Sequence, residues 1–151
     1  MEMRLFYIPR YQVGKRKREV ARMIAIQEED IDILKLINDA KSKDNGAISI
    51  FIGTVRDDNI EALSFECHTE VALENLHDIA KQATELFHLS TIDIIHRIGT
   101  LSITDTILVI LVSGGHRQET IEGCAWILER IKEFVPIWKK DLLKDGQRWH
   151  N

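Results

Sequence analysis

The segment Ile107 to Val112 reads ILVILV, apolar at every position and bounded by Thr104-Asp105 on one side and Gly114-Gly115 on the other. A strand with one wet face alternates polar and apolar residues, and this one does not. Both of its faces must be covered, which makes Thr106 to Val112 a central strand around which the rest of the chain is built. The neighbouring segments supply its partners. Ala47 to Val55, AISIFIGTV, reads as a strand in which Gly53 marks a bulge or a close backbone approach. Ala62 to Cys67 alternates, with Leu63, Phe65 and Cys67 against Ser64 and Glu66. Thr91 to His96 is a further strand, and Ile98 to Ile103 is expected to form a hairpin with the central strand by turning at Thr104-Asp105.

Helical periodicity fills the intervals. Glu28 to Lys43 reads as a helix with Ile33, Leu34, Ile37 and Ala40 on one face, stopped by Asp44-Asn45-Gly46. Glu70 to Phe87 carries the stripe Ala72, Leu76, Ile79, Ala83 and Leu86, with Thr69 as the expected cap. His116 to Val135 is a long helix ended by Pro136. Near the start of the chain, Met3 to Ile8 reads as a short strand. The mixture of strands and helices, with a hairpin, is an α+β class with a largely antiparallel sheet and packed helices. Repeats, low-complexity tracts and Pro/Gly/Ser-rich linkers are missing, so residues 1–151 are expected to form a single domain.

Bulk charge narrows the partners. The net charge is -4, so the chain as a whole offers no basic field for nucleic acid. The basic run Lys15 to Arg18, KRKR, has no interleaved aromatic residues; it reads as a solvated surface turn, with contact to RNA or a phosphate as the other reading. No apolar run approaches the ~18 to 20 residues of a membrane span, and the N-terminus lacks the apolar core of a secretory signal. Cys67 and Cys124 have neither metal-finger nor CxxC spacing, which fits a reducing cytoplasm. The histidines show no HxxxH or HExxH spacing, and Gly-rich nucleotide loops are absent, so neither metal nor nucleotide cofactor is expected.

Positive charge is instead local. His116-Arg117 follow a strand and a Gly-Gly turn at a helix start, where unpaired N–H groups and the dipole favour an anion; a solvent-facing first turn is the other reading. Lys132 continues the stripe Ile121, Cys124, Ala125, Leu128 on a helical wheel, so it stands where a hydrophobe is expected and needs a counter-ion or a chemical role. A snorkelling lysine whose stem covers apolar surface is the bland alternative. Lys139 and Lys140 follow a Pro-Ile-Trp turn, and as a bare pair they would read as surface lysines. Arg56 opens the polar turn after strand AISIFIGTV, placed either to grip a phosphate or carboxylate or to pair with Asp57 or Asp58. Together these residues point to a pocket for an anionic small molecule.

The segments GAISIFIGTVRDDN, IIHRIGTL, SGGHR and VPIWKKDLLKDGQRW occur in the order found in the large, catalytic subunits of molybdopterin synthase, and the chain resembles that family over roughly Gly46 to Trp149. The resemblance implies an α/β hammerhead-type fold and a sulfurtransferase reaction. Sulfur would arrive as a thiocarboxylate on the C-terminal Gly-Gly tail of a small ubiquitin-like subunit. It would be added to cyclic pyranopterin monophosphate (precursor Z) to make the dithiolene of molybdopterin. Two large subunits would form a homodimer inside a heterotetramer with two small ones. By the same resemblance, Arg56, His116 and Arg117 would bind substrate, and Lys132 and Lys139 would bind it and act in acid/base or electrostatic catalysis; Lys140, next to Lys139 in the local cluster of cations, is expected to bind it as well. The thiocarboxylate would be the nucleophile, so no cysteine of this chain is needed. Thr54 departs from the family, standing where many members have lysine, and the stretch ECHTE is compressed. A non-catalytic paralogue that keeps the pterin-phosphate pocket or the docking groove is the alternative.

Overall fold

The computed structural model describes Phe6–Tyr7 and residues 21–150. The basic run KRKR, and all of the expected Met3 to Ile8 strand apart from Phe6–Tyr7, lie outside the described residues. In chain order the elements are β1 (Phe6–Tyr7), β2 (Ala21–Gln27), α1 (Ile33–Ala40), β3 (Ala47–Thr54), β4 (Ala62–Cys67), α2 (Thr69–Phe87), β5 (Thr91–Arg97), β6 (Gly99–Ser102), β7 (Thr106–Gly114), α3 (Arg117–Phe134), β8 (Ile137–Leu143) and β9 (Gly146–His150). They form a five-stranded sheet in the order β1-β2-β5-β7-β3 and a four-stranded sheet in the order β6-β4-β8-β9. Every pairing is antiparallel except that of β2 with β5.

The apolar run is the internal strand β7, flanked by β5 and β3. Its alternation divides the core. Leu108, Ile110 and Val112 join the cluster under α2 and α3, whereas Val109 and Leu111 join the cluster under α1. Val109 to Val112 are all 0% exposed, so each face excludes water. At about 25 cal/mol per Å² of apolar area, a buried isoleucine here contributes some 2–3 kcal/mol relative to an exposed one. On β3 the register shifts between Gly53 and Thr54, a bulge at the glycine singled out in the sequence. A Cβ on Gly53 would stand 3.2 Å from the Phe51 ring, a tight contact that the ring would relieve by moving a few tenths of an ångström.

Several sequence expectations are corrected. The expected hairpin of residues 98–103 with β7 is not formed: β6 pairs with β4 in the other sheet. The turn at Thr104-Asp105 exists, with Thr104 at φ 76°. It is held by Val55, whose carbonyl accepts from the Thr104 N–H (2.8 Å) and whose N–H donates to the Asp105 carbonyl (2.9 Å). That exchange ties the two sheets together where β3 ends. The first helix is shorter than Glu28 to Lys43 because competing groups take its early carbonyls. Arg97 donates to the Glu28 carbonyl (2.8 and 3.1 Å), and the Gln27 amide donates to those of Glu29 and Asp30. Asp32 then caps the helix by accepting from the Lys35 N–H at 3.1 Å. Leu36, not Leu34, faces the core, and on α2 Leu86 is exposed while Leu73 and Ala80 are buried. The cap of α2 is His68, without a side-chain bond, and Thr69 is already helical. Strands β2, β8 and β9 had no counterpart in the sequence reading.

Candidate active site

Strand β8 carries Lys139, Lys140 and Asp141, and its pleat sorts them. Lys139 and Asp141 point to the face shared with Phe65 and Leu63 of β4, their cross-strand partners. Lys140 points to the opposite face. There its Nζ lies 4.8 Å from the Trp149 ring centroid and 3.7 Å from a Glu66 carboxylate oxygen, with the side chain only 17% exposed. Strand β9 extends the first face: His150 lies opposite Lys139, and Arg148 opposite Asp141.

Above this face lies a cavity of about 480 Å³ between the end of α3, strand β8 and the bend of β3. Thr54, His96, Lys132, Lys139 and His150 supply its polar side chains, and Phe51, Phe65 and Leu128 are among its apolar walls. A second cavity of about 550 Å³ adjoins it and shares Thr54, Ile107, Lys139 and His150. Arg56, Arg148, Asp58 and Asp141 complete the charged lining of the second one. The structure therefore brings Lys132 and Lys139 to one cavity and Arg56 and Lys139 to its neighbour, and turns Lys140 away from both.

His116 and Arg117 are elsewhere. They begin α3, whereas Lys132 sits in its last turn, and at 1.5 Å per residue Arg117 and Lys132 are about 22 Å apart along the axis. Both are exposed, and the nearest acid to His116 is Glu119 at 3.7 Å. Lys132 is also exposed, which corrects the sequence expectation of an amine within an apolar stripe. The buried face of α3 is Thr120, Gly123, Cys124, Ile127 and Ile131; Ile121 and Ala125 face outward, one position away from the stripe expected from the periodicity.

Burial and hydrogen bonding set the state of the surrounding groups. Burial pushes the His96 imidazole down to about 4, against the opposing effect of the Arg97 carbonyl. That carbonyl accepts from Nδ1–H at 2.6 Å, which leaves Nε2 as a lone-pair acceptor. Burial also works to raise the Asp141 carboxyl, but hydrogen bonds from Arg148 and His150 outweigh it and hold the group below the usual carboxylate range. Arg148 reaches it through Nε (3.2 Å) and Nη2 (2.5 Å), and His150 through Nε2 (2.6 Å). Arg56 donates to Asp58 at 2.8 Å, and its side chain is 83% exposed. Burial raises the thiols of Cys67 and Cys124, the latter to about 11, so neither offers a ready thiolate. Among the described residues no cluster of His, Cys, Asp and Glu has the makings of a metal site.

His96, Asp141, Arg148 and His150 were not singled out in the sequence. The available signal was Asp145-Gly146 between IWKKDLL and QRWH, a hairpin marker that aligns the two strands and their charges.

The family model described as MoaE protein matches residues 26–134. The chain belongs to that family. Arg56, His116, Arg117 and Lys132 fall inside the matched segment, and Lys139 lies just beyond it. Among similar proteins, a molybdopterin synthase catalytic subunit of Thermoplasma volcanium is 39% identical over 132 residues, covering 84% of this chain and 96% of the relative. A solved structure of molybdopterin synthase from Staphylococcus aureus superposes with a TM-score of 0.79 at 33% identity, over 83% of this chain and 95% of that one. A protein–protein complex of subunit 1 and 2 of molybdopterin-converting factor from Helicobacter pylori 26695 matches with a TM-score of 0.72 at 25% identity, over 83% and 88% of the two chains. The mixed fold with antiparallel-rich sheets is thus that of the MoaE family.

Proposed function

We infer that this MoaE family member is a molybdopterin synthase catalytic subunit, a sulfurtransferase. It takes sulfur from the C-terminal thiocarboxylate of a small ubiquitin-like subunit and adds it to precursor Z. The observation that carries this reading is the joint presence of Lys132 and Lys139 in one cavity that shares Lys139 with a second lined by Arg56 and Arg148. A thiocarboxylate and a phosphate are both anions, and the two adjoining compartments hold cations for both. Neither cysteine is needed, because the carrier brings the nucleophilic sulfur.

Lys132 and Lys139 stabilise the charge that develops as C–O bonds break and C–S bonds form, and Arg56 holds the phosphate after releasing Asp58. His116 and Arg117 are too far from Lys132 to grip the same small substrate within one protomer. They reach it from a second copy, which suits a homodimer within a heterotetramer carrying a small subunit at each end. Lys140 contacts Trp149 and Glu66 and stays out of the pocket in this reading. The cytoplasm is its setting, where both unpaired cysteines stay reduced. Among the described residues no helix is long and apolar enough to cross a membrane.

The test is reconstitution. The chain, a thiocarboxylated small subunit and precursor Z should yield molybdopterin. A variant of the chain that binds the small subunit tightly but makes no product marks a residue of the chemistry. A wild type that does the same marks a non-catalytic binding paralogue.

A further inference from the structure

We propose that His150 is the proton-relay residue of this site, held by Asp141 so that one ring nitrogen is fixed and the other is free to exchange a proton with the reacting groups beside Lys139. The proposal rests on the sulfur-transfer reading above and assigns it a further catalytic residue.

Geometry supports the assignment. His150 is the cross-strand neighbour of Lys139 and lines both cavities. Side chains so paired lie about 5 Å apart at Cβ. Its Nε2–H donates to Asp141 Oδ1 at 2.6 Å, and Nδ1 has no partner among the described residues. Asp141 is 3% exposed and is fixed from its other oxygen by Arg148, so it stays a carboxylate and cannot swing away. A carboxylate holding one nitrogen of an imidazole fixes the tautomer and supports the protonated ring, while the other nitrogen faces the reaction. The charged and titratable groups around His150 are Lys139 and Asp141 on β8, Arg148 on β9, Lys132 on α3, Arg56 with Asp58 after β3, and His96 on β5. His96 is kept neutral by burial and has no proton to give near pH 7.

The chemistry needs such a group. When the thiocarboxylate sulfur bonds to a substrate carbon, the C–O bond breaks and the oxygen leaves as water. One proton must be supplied, and His150 gives it from the imidazolium form. The sulfur is then joined to both the substrate and the carrier's acyl carbon. Water adds at that acyl carbon and the acyl C–S bond breaks. The tail is released as a carboxylate and the sulfur stays on the substrate. One proton of the attacking water returns to His150 and the other ends on the new thiol. The residue finishes as it began.

The experiment compares His150→Ala and His150→Gln with wild type in the reconstituted assay, as pH profiles with and without added imidazole. The glutamine amide can still donate to Asp141, so it keeps the structural bond and removes the proton exchange. The expected result is a loss of about 100-fold in turnover for both variants, loss of one limb of the pH profile, and partial recovery of His150→Ala with imidazole. Full activity in His150→Gln, or a loss in His150→Ala that imidazole does not relieve, overturns the assignment while leaving the sulfur-transfer reading in place. A wild type that makes no product overturns both.

Discussion

Lys132 and Lys139 line one cavity although Pro136 separates their elements, the first in the last turn of α3 and the second on β8. The proline ends the helix and β8 begins at the next residue, so the chain doubles back and sets the two amines around the same space. Because Lys132 is exposed, Lys132→Ala should leave the thermal midpoint within about 2 °C of wild type. Sulfur transfer should fall by at least 100-fold. Wild-type turnover in that variant would remove its assigned role.

Lys139 and Lys140 separate two effects at adjacent positions. Lys139→Ala should cost most of the activity. Lys140→Ala should cost about 0.5–1 kcal/mol of stability, from its contacts with Trp149 and Glu66, and little turnover. Denaturant unfolding and steady-state kinetics on both variants check this. A Lys140 variant as inactive as the Lys139 variant would show that the faces of β8 have been assigned the wrong way round.

Arg117 and Lys132 lie at opposite ends of α3, so their placement makes a prediction about assembly. If a pocket draws Arg117 from a second copy, mixing Arg117→Ala with Lys132→Ala should restore activity. A mixed dimer then has one pocket with both residues intact. Random reassortment should return about a quarter of wild-type turnover, since half the dimers are mixed and each has one complete pocket. No recovery after confirmed subunit exchange would mean that each protomer uses its own residues or that Arg117 is not used.

His96 gives the fold a pH dependence. Its folded value is about 4 and its ordinary value 6.5, so between these the unfolded chain binds more protons. The contribution to stability is full above pH 6.5, declines as pH falls through that window, and is lost below pH 4. At 1.36 kcal/mol per unit it amounts to roughly 3 kcal/mol. Asp141, held below its ordinary value, acts at lower pH: its contribution is present above the unfolded carboxylate range and lost as pH falls through the folded one. Urea unfolding of wild type and His96→Gln from pH 4 to 7 should show a steep rise for the wild type and a flatter curve for the variant. Parallel curves would remove His96 as the source.

The central strand and the two long helices were legible in the sequence from local periodicity, and Arg56 and Lys139 from a charge beside an element end. Strands β8 and β9 were not. Their alternation is obscured by Asp141, a carboxylate that is buried only because Arg148 and His150 pair with it across the hairpin. The membership of β6 in the second sheet was equally hidden, since it depends on the hold of Val55 on the Thr104-Asp105 turn, a contact between segments far apart in the chain. The orientation of Lys132 was missed because Ile121 looks like a core residue and is 59% exposed.

The most direct measurement is molybdopterin formation from precursor Z and a thiocarboxylated small subunit, with wild type beside Lys132→Ala and Lys139→Ala. Product with the wild type and near-total loss in both variants is the predicted result. No product from a wild type that binds the small subunit tightly would contradict it.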